Sequence, residues 1–278
     1  MCIRDRYRKH PEEARDSFGE DPFEVKNILK YWVLSEKQEF HVIPTDTINI
    51  HIDKDALLRS GIMLPKTIRH LKGEDLKDAI PDKLYIPLTD IRMLTKVDLL
   101  MLEMLANCNW ERPLYLAISV GSVSKLKFDN YFVQEGLAFR FTPFDYKKWG
   151  DVGENRLYAV DVERLYDNVM NRYKYGGLDT PGLYLDETTL RTCWYHRRLF
   201  AQLAKELIAQ GDNERAKKVL AYAEQVIPGY NVPETHESGS YDIATAYAAL
   251  GEKTKAVTLA VHLIAEAEDY INLSLIHI

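Results

Sequence analysis

Alternation of apolar and polar positions predicts several short strands in the first half of the chain. In residues 47–52, TINIHI, isoleucine occupies every second position, which predicts a half-buried strand. Residues 84–88, LYIPL, predict a second strand near a sheet edge, because Pro87 has no amide hydrogen to donate. The continuous apolar run LYLAISV at 114–120 predicts a strand covered on both faces, and LAFRFTPF at 137–144 predicts another strand.

Helical spacing of apolar residues predicts helices between these strands. Residues 22–36 have this spacing, and Asp53 predicts the N-cap of a short helix that ends at Gly61. The segment LTKVDLLMLEMLANC, residues 94–108, carries too many apolar residues for an exposed helix, which predicts a mostly buried one. Because this helix lies between two predicted strands, the sequence predicts a βαβ unit with a parallel strand pair.

From about residue 155 the pattern becomes helical. Residues 161–174 predict an amphipathic helix closed by Gly176 and Gly177, and Asp186 predicts the N-cap of a long helix that ends at Gln210. The large, small and turn residues that follow have the spacing of tetratricopeptide repeats: Phe200, Leu203, Ala204, Leu207, Gly211, Ala216, Leu220, Ala223 and Pro228, then Ile243, Ala244, Tyr247, Gly251 and Ala256. Two helical hairpins that only support the preceding domain are the simpler interpretation.

The predicted fold class is therefore α+β. A small mixed α/β domain with a βαβ unit occupies residues 7–155, and tetratricopeptide-like helical hairpins occupy residues 156–272. The opening MCIRDR, residues 1–6, and the closing LSLIHI, residues 273–278, resemble translated sequencing-adapter read-through. We therefore expect both ends to be artificial and the chain to be a fragment, so that a membrane region could lie in the missing part.

Composition narrows the class of protein. With 46% hydrophobic and 28% charged residues, the chain can bury a sizeable core. A formal net charge of −6 without blocks of Lys or Arg argues against nucleic acid as a partner. No apolar run reaches the roughly 18 residues of a membrane span. The three cysteines form no CxxC motif and no metal-ligand cluster.

A polar cluster joins the predicted buried helix to the strand at 114–120, and it supplies the candidate ligand-binding residues. Asn107, Asn109, Trp110 and Arg112 could hold a sugar or an anionic group. A packing interpretation explains the same residues, because Asn side chains can cap helix carbonyls and Trp110 can close the core. The sequence leaves both interpretations open.

Other chemical signals are weaker. Asp53-Lys54-Asp55 is a DxD triplet, which many nucleotide-sugar transferases use to hold a divalent metal, but Asp53 is also the predicted helix cap. His41 and His51 could face a shared surface, and no third ligand accompanies them. The sequence therefore predicts no catalytic residue, no metal site and no cofactor.

At the polar cluster the chain resembles a known family. Residues 99–121, LLMLEMLANCNWERPLYLAISVG, are similar to a signature of bacterial multi-span membrane proteins that carry a domain of unknown function related to protein O-mannosyltransferases. That signature combines a leucine-rich helix, asparagines, Trp and Arg-Pro-Ile-Tyr-Phe. The resemblance covers most of residues 20–265 and continues through DNYFVQEGLAFRFTP, YDNVMNRYKYGG and LYLDETTLR. Cys108 stands where the family pattern has another Asn, so the function of that Asn is not carried over.

The resemblance implies a function for a larger protein. It implies that this chain is the soluble C-terminal region that follows the multi-span region of a glycosyltransferase using lipid-linked sugars. The acidic catalytic residues of that family lie between membrane spans, and no position here matches them. The implied parent lies in a bacterial inner membrane, with this region extracytoplasmic, in the periplasm. The implied partners are the N-terminal membrane region of the same parent and an acceptor protein or glycan.

Several functions therefore remain open. The first is an accessory or acceptor-binding module of a glycosyltransferase-like parent, without catalysis of its own. A second is a soluble carbohydrate-active enzyme with a pocket near Asn109 and Arg112. A third is a free-standing tetratricopeptide-like interaction protein, and a packing domain without any ligand is the simplest alternative.

Overall fold

The computed structural model describes residues 10–89, 91, 93–120, 126, 128–153 and 158–276. Its contacts divide the chain into two compact units. The first comprises Met1–Val133 and Ala138–Ala159, and the second comprises Gln134–Leu137 and Val160–Ile278. The opening hexamer and the predicted boundary between residues 155 and 156 lie outside the described residues, so both stay predictions.

Short helices and short strands alternate in the first half of the chain. The helices are α1 (Pro11–Phe18), α2 (Val25–Ile28, continued by a π-helical turn, Leu29–Val33), α3 (Lys54–Arg59), α4 (Gly73–Ala79) and α5 (Lys96–Asn107). The strands are β1 (Thr47–His51), β2 (Lys83–Pro87), β3 (Tyr115–Ala117), β4 (Phe132–Gln134), β5 (Ala138–Phe141) and β6 (Ala159–Val160).

Local sequence signals explain where these elements begin. Asp53 caps α3, because its Oδ1 accepts a hydrogen bond from the Ala56 amide at 2.9 Å. Thr95 and Asp98 form a capping box at the start of α5, in which each side chain accepts from the other's backbone amide. A cap of this kind stabilises a helix by about 1 kcal/mol. The Asp53 cap was predicted and is confirmed.

The core of the first unit lies on one face of β1 and β2. The three isoleucines of the TINIHI segment, Ile48, Ile50 and Ile52, are each at most 3% exposed, which confirms the strand and its apolar face. Asn49, on the predicted polar face, is buried as well, and its side chain donates to the Asp21 carboxylate at 3.1 Å. Strands β1 and β2 pair antiparallel as a two-stranded sheet, with Ile50 opposite Leu84. Around them pack buried side chains from the helices and loops: Trp32, Leu57, Ile80, Leu102, Phe144 and Tyr146.

The predicted parallel strand pair is wrong. Among the described strands, β2 pairs only with β1, whereas β3 belongs to a second sheet with the strand order β3-β5-β4-β6. In that sheet β3 pairs antiparallel with β5. The order strand, helix, strand is therefore present without a βαβ unit. The prediction assumed that consecutive strands share a sheet, but β3 forms its backbone hydrogen bonds with the antiparallel strand β5 instead.

Two predictions of burial are also wrong. The run at 114–120 forms only the three-residue edge strand β3, and its Tyr115 is 49% exposed. Helix α5 buries one face through Leu102, Leu105 and Ala106, as expected of an amphipathic helix. Its opposite face is also apolar and lies in solvent: Val97, Leu100 and Met104 are 44%, 61% and 45% exposed.

The second unit consists mainly of helices. These are α6 (Val162–Asp167, continued by a π-helical turn, Asn168–Arg172), α7 (Glu187–Ala209), α8 (Asn213–Val226), α9 (Ser240–Ala249) and α10 (Lys253–Ile276). Helices α7 and α8 form one hairpin and α9 and α10 a second, and α9 also packs against α7. None of the described helices is both long and apolar enough to cross a bilayer.

Small residues allow the first hairpin to close. Ala204 and Ala216 are fully buried, and Gly211 adopts a φ of +81° in the turn between α7 and α8. Gly251 plays the same part in the second hairpin, with a φ of +77°. The predicted α+β fold class with helical hairpins in its C-terminal half is confirmed. The likeness of these hairpins to tetratricopeptide repeats stays a prediction.

Two of the motifs that carry the family resemblance, DNYFVQEGLAFRFTP and YDNVMNRYKYGG, are in contact within the second unit. The amide of Leu137 donates to the Tyr173 hydroxyl at 3.0 Å, and the Asn168 side chain donates to the Glu135 carbonyl at 2.7 Å. A Cβ on Gly136 would lie 2.1 Å from the Tyr173 hydroxyl oxygen. Only glycine therefore fits between these contacts, which bind the segment 134–137 to the turn that continues α6.

Candidate functional site

A charged cleft of about 770 Å³ opens on the first unit, and we call it the charged cleft throughout. Its walls come from segments that are far apart in sequence. They are the residues before α2, the end of β1 with the start of α3, helix α4, the start of β2, and the turn after α5. That turn contributes Asn109 and Trp110, two of the predicted site residues.

Acidic side chains outnumber basic ones in the charged cleft. Eight carboxylates line it, those of Asp21, Glu24, Asp53, Asp55, Glu74, Asp78, Asp82 and Glu111. They face four lysines, Lys26, Lys54, Lys77 and Lys83, which leaves a formal charge of −4 with His51 neutral. A cleft of this sign attracts cationic groups and repels phosphates.

Three of the four lysines bind carboxylates directly. Lys83 lies 2.6 Å from Asp21, Lys77 lies 2.7 Å from Asp55, and Lys54 lies 2.8 Å from Asp82. These pairs are solvated, so each contributes little to stability. They nevertheless fix the positions of the charges around the opening.

The ion pairs also shift the protonation equilibria of the cleft. Through its hydrogen bond, Lys77 lowers the pKa of Asp55, and Asp55 in turn raises the pKa of Lys77. The hydrogen bond from Lys54 lowers the pKa of Asp82 in the same way. The carboxylates of Asp55 and Asp82 therefore stay ionised at neutral pH, and the cleft keeps its negative charge.

The turn after α5 has an unusual backbone. Asn109 and Trp110 have φ values of +48° and +61°, in the left-handed region that costs a residue other than glycine about 1–3 kcal/mol. Asparagine tolerates this conformation, whereas tryptophan rarely adopts it. The Glu111 amide closes the turn by donating to the Cys108 carbonyl at 3.1 Å. The turn is therefore held by contacts elsewhere.

Trp110 supplies the main contact that holds the turn. Its indole is 6% exposed, and Nε1 donates to the backbone carbonyl of His51, at the end of β1, over 2.7 Å. The ring stacks on Phe141 with centroids 6.3 Å apart. Burial of an aromatic ring together with a hydrogen bond offsets the backbone strain. The structure thus gives Trp110 the packing role that the sequence left open.

Asn109 is exposed at the wall of the charged cleft. Its Oδ1 accepts a hydrogen bond from Lys26 Nζ at 3.2 Å, so the side-chain amide lies beside a cation. An amide has both donors and acceptors, which suits contact with hydroxyl groups or with a peptide backbone. Of the four predicted site residues, Asn109 is the one whose polar side chain lines the cleft.

The other two predicted site residues, Asn107 and Arg112, do not line the charged cleft. Asn107 bends back onto its own helix, where Nδ2 donates to the Glu103 carbonyl at 2.9 Å and to the Glu103 carboxylate at 2.8 Å. Arg112 lines a separate cavity of only about 10 Å³, together with Cys108. Burial raises the pKa of the Cys108 thiol, which keeps it protonated.

The other residues for which the sequence suggested chemistry do not form a common site either. His51 lines the charged cleft, whereas His41 lines an apolar pocket of about 560 Å³ elsewhere on the first unit. In the DxD triplet, Asp53 caps α3 and Asp55 pairs with Lys77, so both carboxylates are engaged. Within the described ranges, no group of three His, Cys, Asp or Glu side chains is placed to hold a metal ion.

Sequence reasoning missed most residues of the charged cleft. Asp21 and Lys83 are 62 positions apart in sequence, and Lys26 and Asn109 are 83 positions apart. No local sequence pattern predicts contacts over such separations. For the charged side chains, the available signal was the DxD triplet, which places three of them at the start of α3. It indicated the right place on the surface without indicating its chemistry.

Comparison with known proteins gives one family. The family model of TMEM260-associated domain 2 matches residues 4–163, more than half of the chain. The match contains every residue of the charged cleft. No curated protein and no solved structure is similar enough to count as a match. TMEM260 is a protein O-mannosyltransferase-like protein, which agrees with the resemblance at the polar cluster. The chain belongs to the family of TMEM260-associated domain 2.

Proposed function

We propose that this chain is an accessory, acceptor-binding module of a glycosyltransferase-like membrane protein, and that it does not transfer sugar itself. The observation that carries the proposal is the charged cleft inside the region that matches TMEM260-associated domain 2. The parent is related to protein O-mannosyltransferases, and we place this module outside the cytoplasm, beside the membrane region of the same protein.

The charge of the cleft favours the acceptor over the sugar donor. With eight carboxylates against four lysines, the cleft repels an activated sugar that carries a phosphate. A protein acceptor with lysine or arginine near its hydroxyl-bearing residues fits the same charge. Asn109 supplies an amide that can bind the backbone of such a segment.

The protonation states argue against a glycoside hydrolase at this cleft. Hydrolysis of a glycosidic bond by paired carboxylates needs one carboxyl group that holds a proton near neutral pH, which requires a raised pKa. Lysines instead lower the pKa of Asp55 and Asp82. An enzyme with Asn109 and Arg112 in one pocket is also disfavoured, because the two residues line separate cavities.

Fluorescence anisotropy with labelled peptides tests this function. We expect a serine- and threonine-containing peptide with flanking lysines to bind the 278-residue chain more tightly than the same peptide with glutamates. Asn109→Ala should weaken binding about fivefold, the value of one hydrogen bond. Asn107→Ala is the matched control and should change nothing, because Asn107 contacts its own helix. Equal binding of the two peptides, or equal losses in the two variants, would contradict the proposal.

A second experiment addresses the parent protein. If the module follows a membrane region, the genomic reading frame upstream of residue 7 should encode several apolar spans. A soluble sequence or a stop codon there would remove the membrane part of the proposal. The peptide-binding result would stand independently of that outcome.

A groove on the hairpins supports one alternative, a free-standing interaction protein. It has a volume of about 390 Å³ between α8, α9 and α10, with apolar Ile243 and Leu259 in its walls. Tyr247 donates to Glu224, which also binds Lys255 at 2.8 Å. A peptide could use this groove. If the groove on the hairpins were the peptide site, Lys255→Glu would abolish peptide binding. Because we propose that the peptide binds the charged cleft, we expect Lys255→Glu to leave peptide binding unchanged.

A further inference from the structure

Helix α5 carries an apolar seam on the side that faces solvent. Val97, Leu100 and Met104 are 44%, 61% and 45% exposed, although the residues on the opposite face of the helix are buried. Their spacing of three and then four residues is that of the contact positions in a coiled coil. An apolar seam of this kind is typical of a helix that packs against another helix.

Charged residues flank the seam in a pattern that complements itself. Lys96 lies beside Val97, and Glu103 lies beside Met104. Both are exposed, and the Asn107 amide holds the Glu103 carboxylate at 2.8 Å. Seven residues along a helix correspond to about 10 Å, too far for Lys96 and Glu103 to pair within one helix.

An antiparallel second helix of the same sequence would match both features. With a two-fold axis at Leu100, each Leu100 meets its copy and each Val97 meets Met104 of the second chain. Lys96 then faces Glu103 of the second chain, twice, because a two-fold interface repeats every contact. We propose that the seam of α5 is a self-association surface, through which two copies of this chain form an antiparallel dimer.

The size of the seam sets the strength of this dimer. Helix α5 has 12 residues, a length of about 18 Å, so the helix pair buries less surface than a standard interface. We therefore expect a reversible dimer with a dissociation constant of about 1–100 µM. The flanking acid also argues against a bilayer of anionic lipids as the partner, because Glu103 would be repelled by it.

Sedimentation equilibrium of the 278-residue chain over a concentration series tests the proposal. The wild type should dimerise, and Leu100→Glu should remain monomeric because it places two carboxylates together at the axis. The matched control is Leu34→Glu, since Leu34 is 72% exposed on the same unit outside α5. That control should dimerise like the wild type. Circular dichroism should show all variants folded, because both leucines are exposed.

Charge reversal provides the more specific test. Lys96→Glu and Glu103→Lys should each weaken the dimer about tenfold, since each change replaces two attractive pairs with two repulsive ones. The double variant Lys96→Glu with Glu103→Lys should recover the wild-type dissociation constant. A chain that stays monomeric at millimolar concentration overturns the proposal, as does a dimer that Leu100→Glu leaves intact or a double variant that fails to recover.

Discussion

Replacement of Trp110 by phenylalanine should loosen the turn that presents Asn109 to the charged cleft. The change removes the indole N–H, which donates to the His51 carbonyl at 2.7 Å, and leaves that carbonyl without this donor. This hydrogen bond is partly buried, and loss of one partner of such a bond costs about 1–3 kcal/mol. The smaller ring buries about 50 Å² less apolar surface, which costs about 1 kcal/mol more. We therefore expect Trp110→Phe to lower the free energy of unfolding by about 2–4 kcal/mol.

Urea-induced unfolding followed by circular dichroism measures this loss, and Trp149→Phe is the matched control. Trp149 is only partly buried, and its indole makes no hydrogen bond to any residue in the described part of the chain. The same chemical change should therefore cost less than about 1 kcal/mol there. Similar losses in the two variants would refute the role assigned to the Trp110 hydrogen bond.

The loosened turn should also affect binding. Asn109 and Trp110 both have positive φ values, and the Trp110 contacts are what hold them. Under conditions in which the variant is folded, Trp110→Phe should bind the lysine-containing peptide more weakly than the wild type. Trp149→Phe should bind it equally well. Unchanged binding in Trp110→Phe would show that the cleft does not depend on this turn.

Three further predictions concern the second unit. Gly136→Ala should lower the unfolding free energy by about 2–4 kcal/mol, because its Cβ would lie 2.1 Å from the Tyr173 hydroxyl oxygen. In a Tyr173→Phe background, which lacks this oxygen, the loss in unfolding free energy caused by Gly136→Ala should be at least about 1 kcal/mol smaller. Arg197→Lys should cost about 2–3 kcal/mol in thermal unfolding, because a lysine cannot reproduce the guanidinium bonds to the carbonyls of Ile227, Val232 and Pro233. Burial lowers the pKa of His196, so the unfolded chain takes up a proton first as the pH falls, and stability drops as the pH falls through about 6.5, the ordinary pKa of histidine. In His196→Gln this pH dependence should be weaker, and an unchanged slope would contradict the assignment to His196.

Local elements were predictable because their causes are local. The strand at TINIHI and the cap at Asp53 depend mainly on neighbouring residues, and both are confirmed. The hairpin of α7 and α8 followed from the spacing of small residues around Gly211. The strand pairing was wrong because the partner of β3 is decided by the tertiary fold, which brings β5 beside it.

The site was only partly predictable for the same reason. Asn109 and Arg112 are close in sequence, and the prediction placed them in one pocket. The turn between them uses positive φ values at an asparagine and a tryptophan, with no glycine to indicate it, and the two side chains line separate cavities. The lysines that complete the charged cleft come from distant segments, so composition could not reveal them.

Nuclear magnetic resonance of the isotope-labelled 278-residue chain tests the central claim most directly. Titration with the lysine-containing peptide should shift the amide signals of Lys26, His51 and Asn109 at the charged cleft. The signals of Ile243 and Leu259 at the hairpin groove should remain in place. Shifts confined to the hairpin groove, or no shifts at saturating peptide, would contradict acceptor binding by the charged cleft.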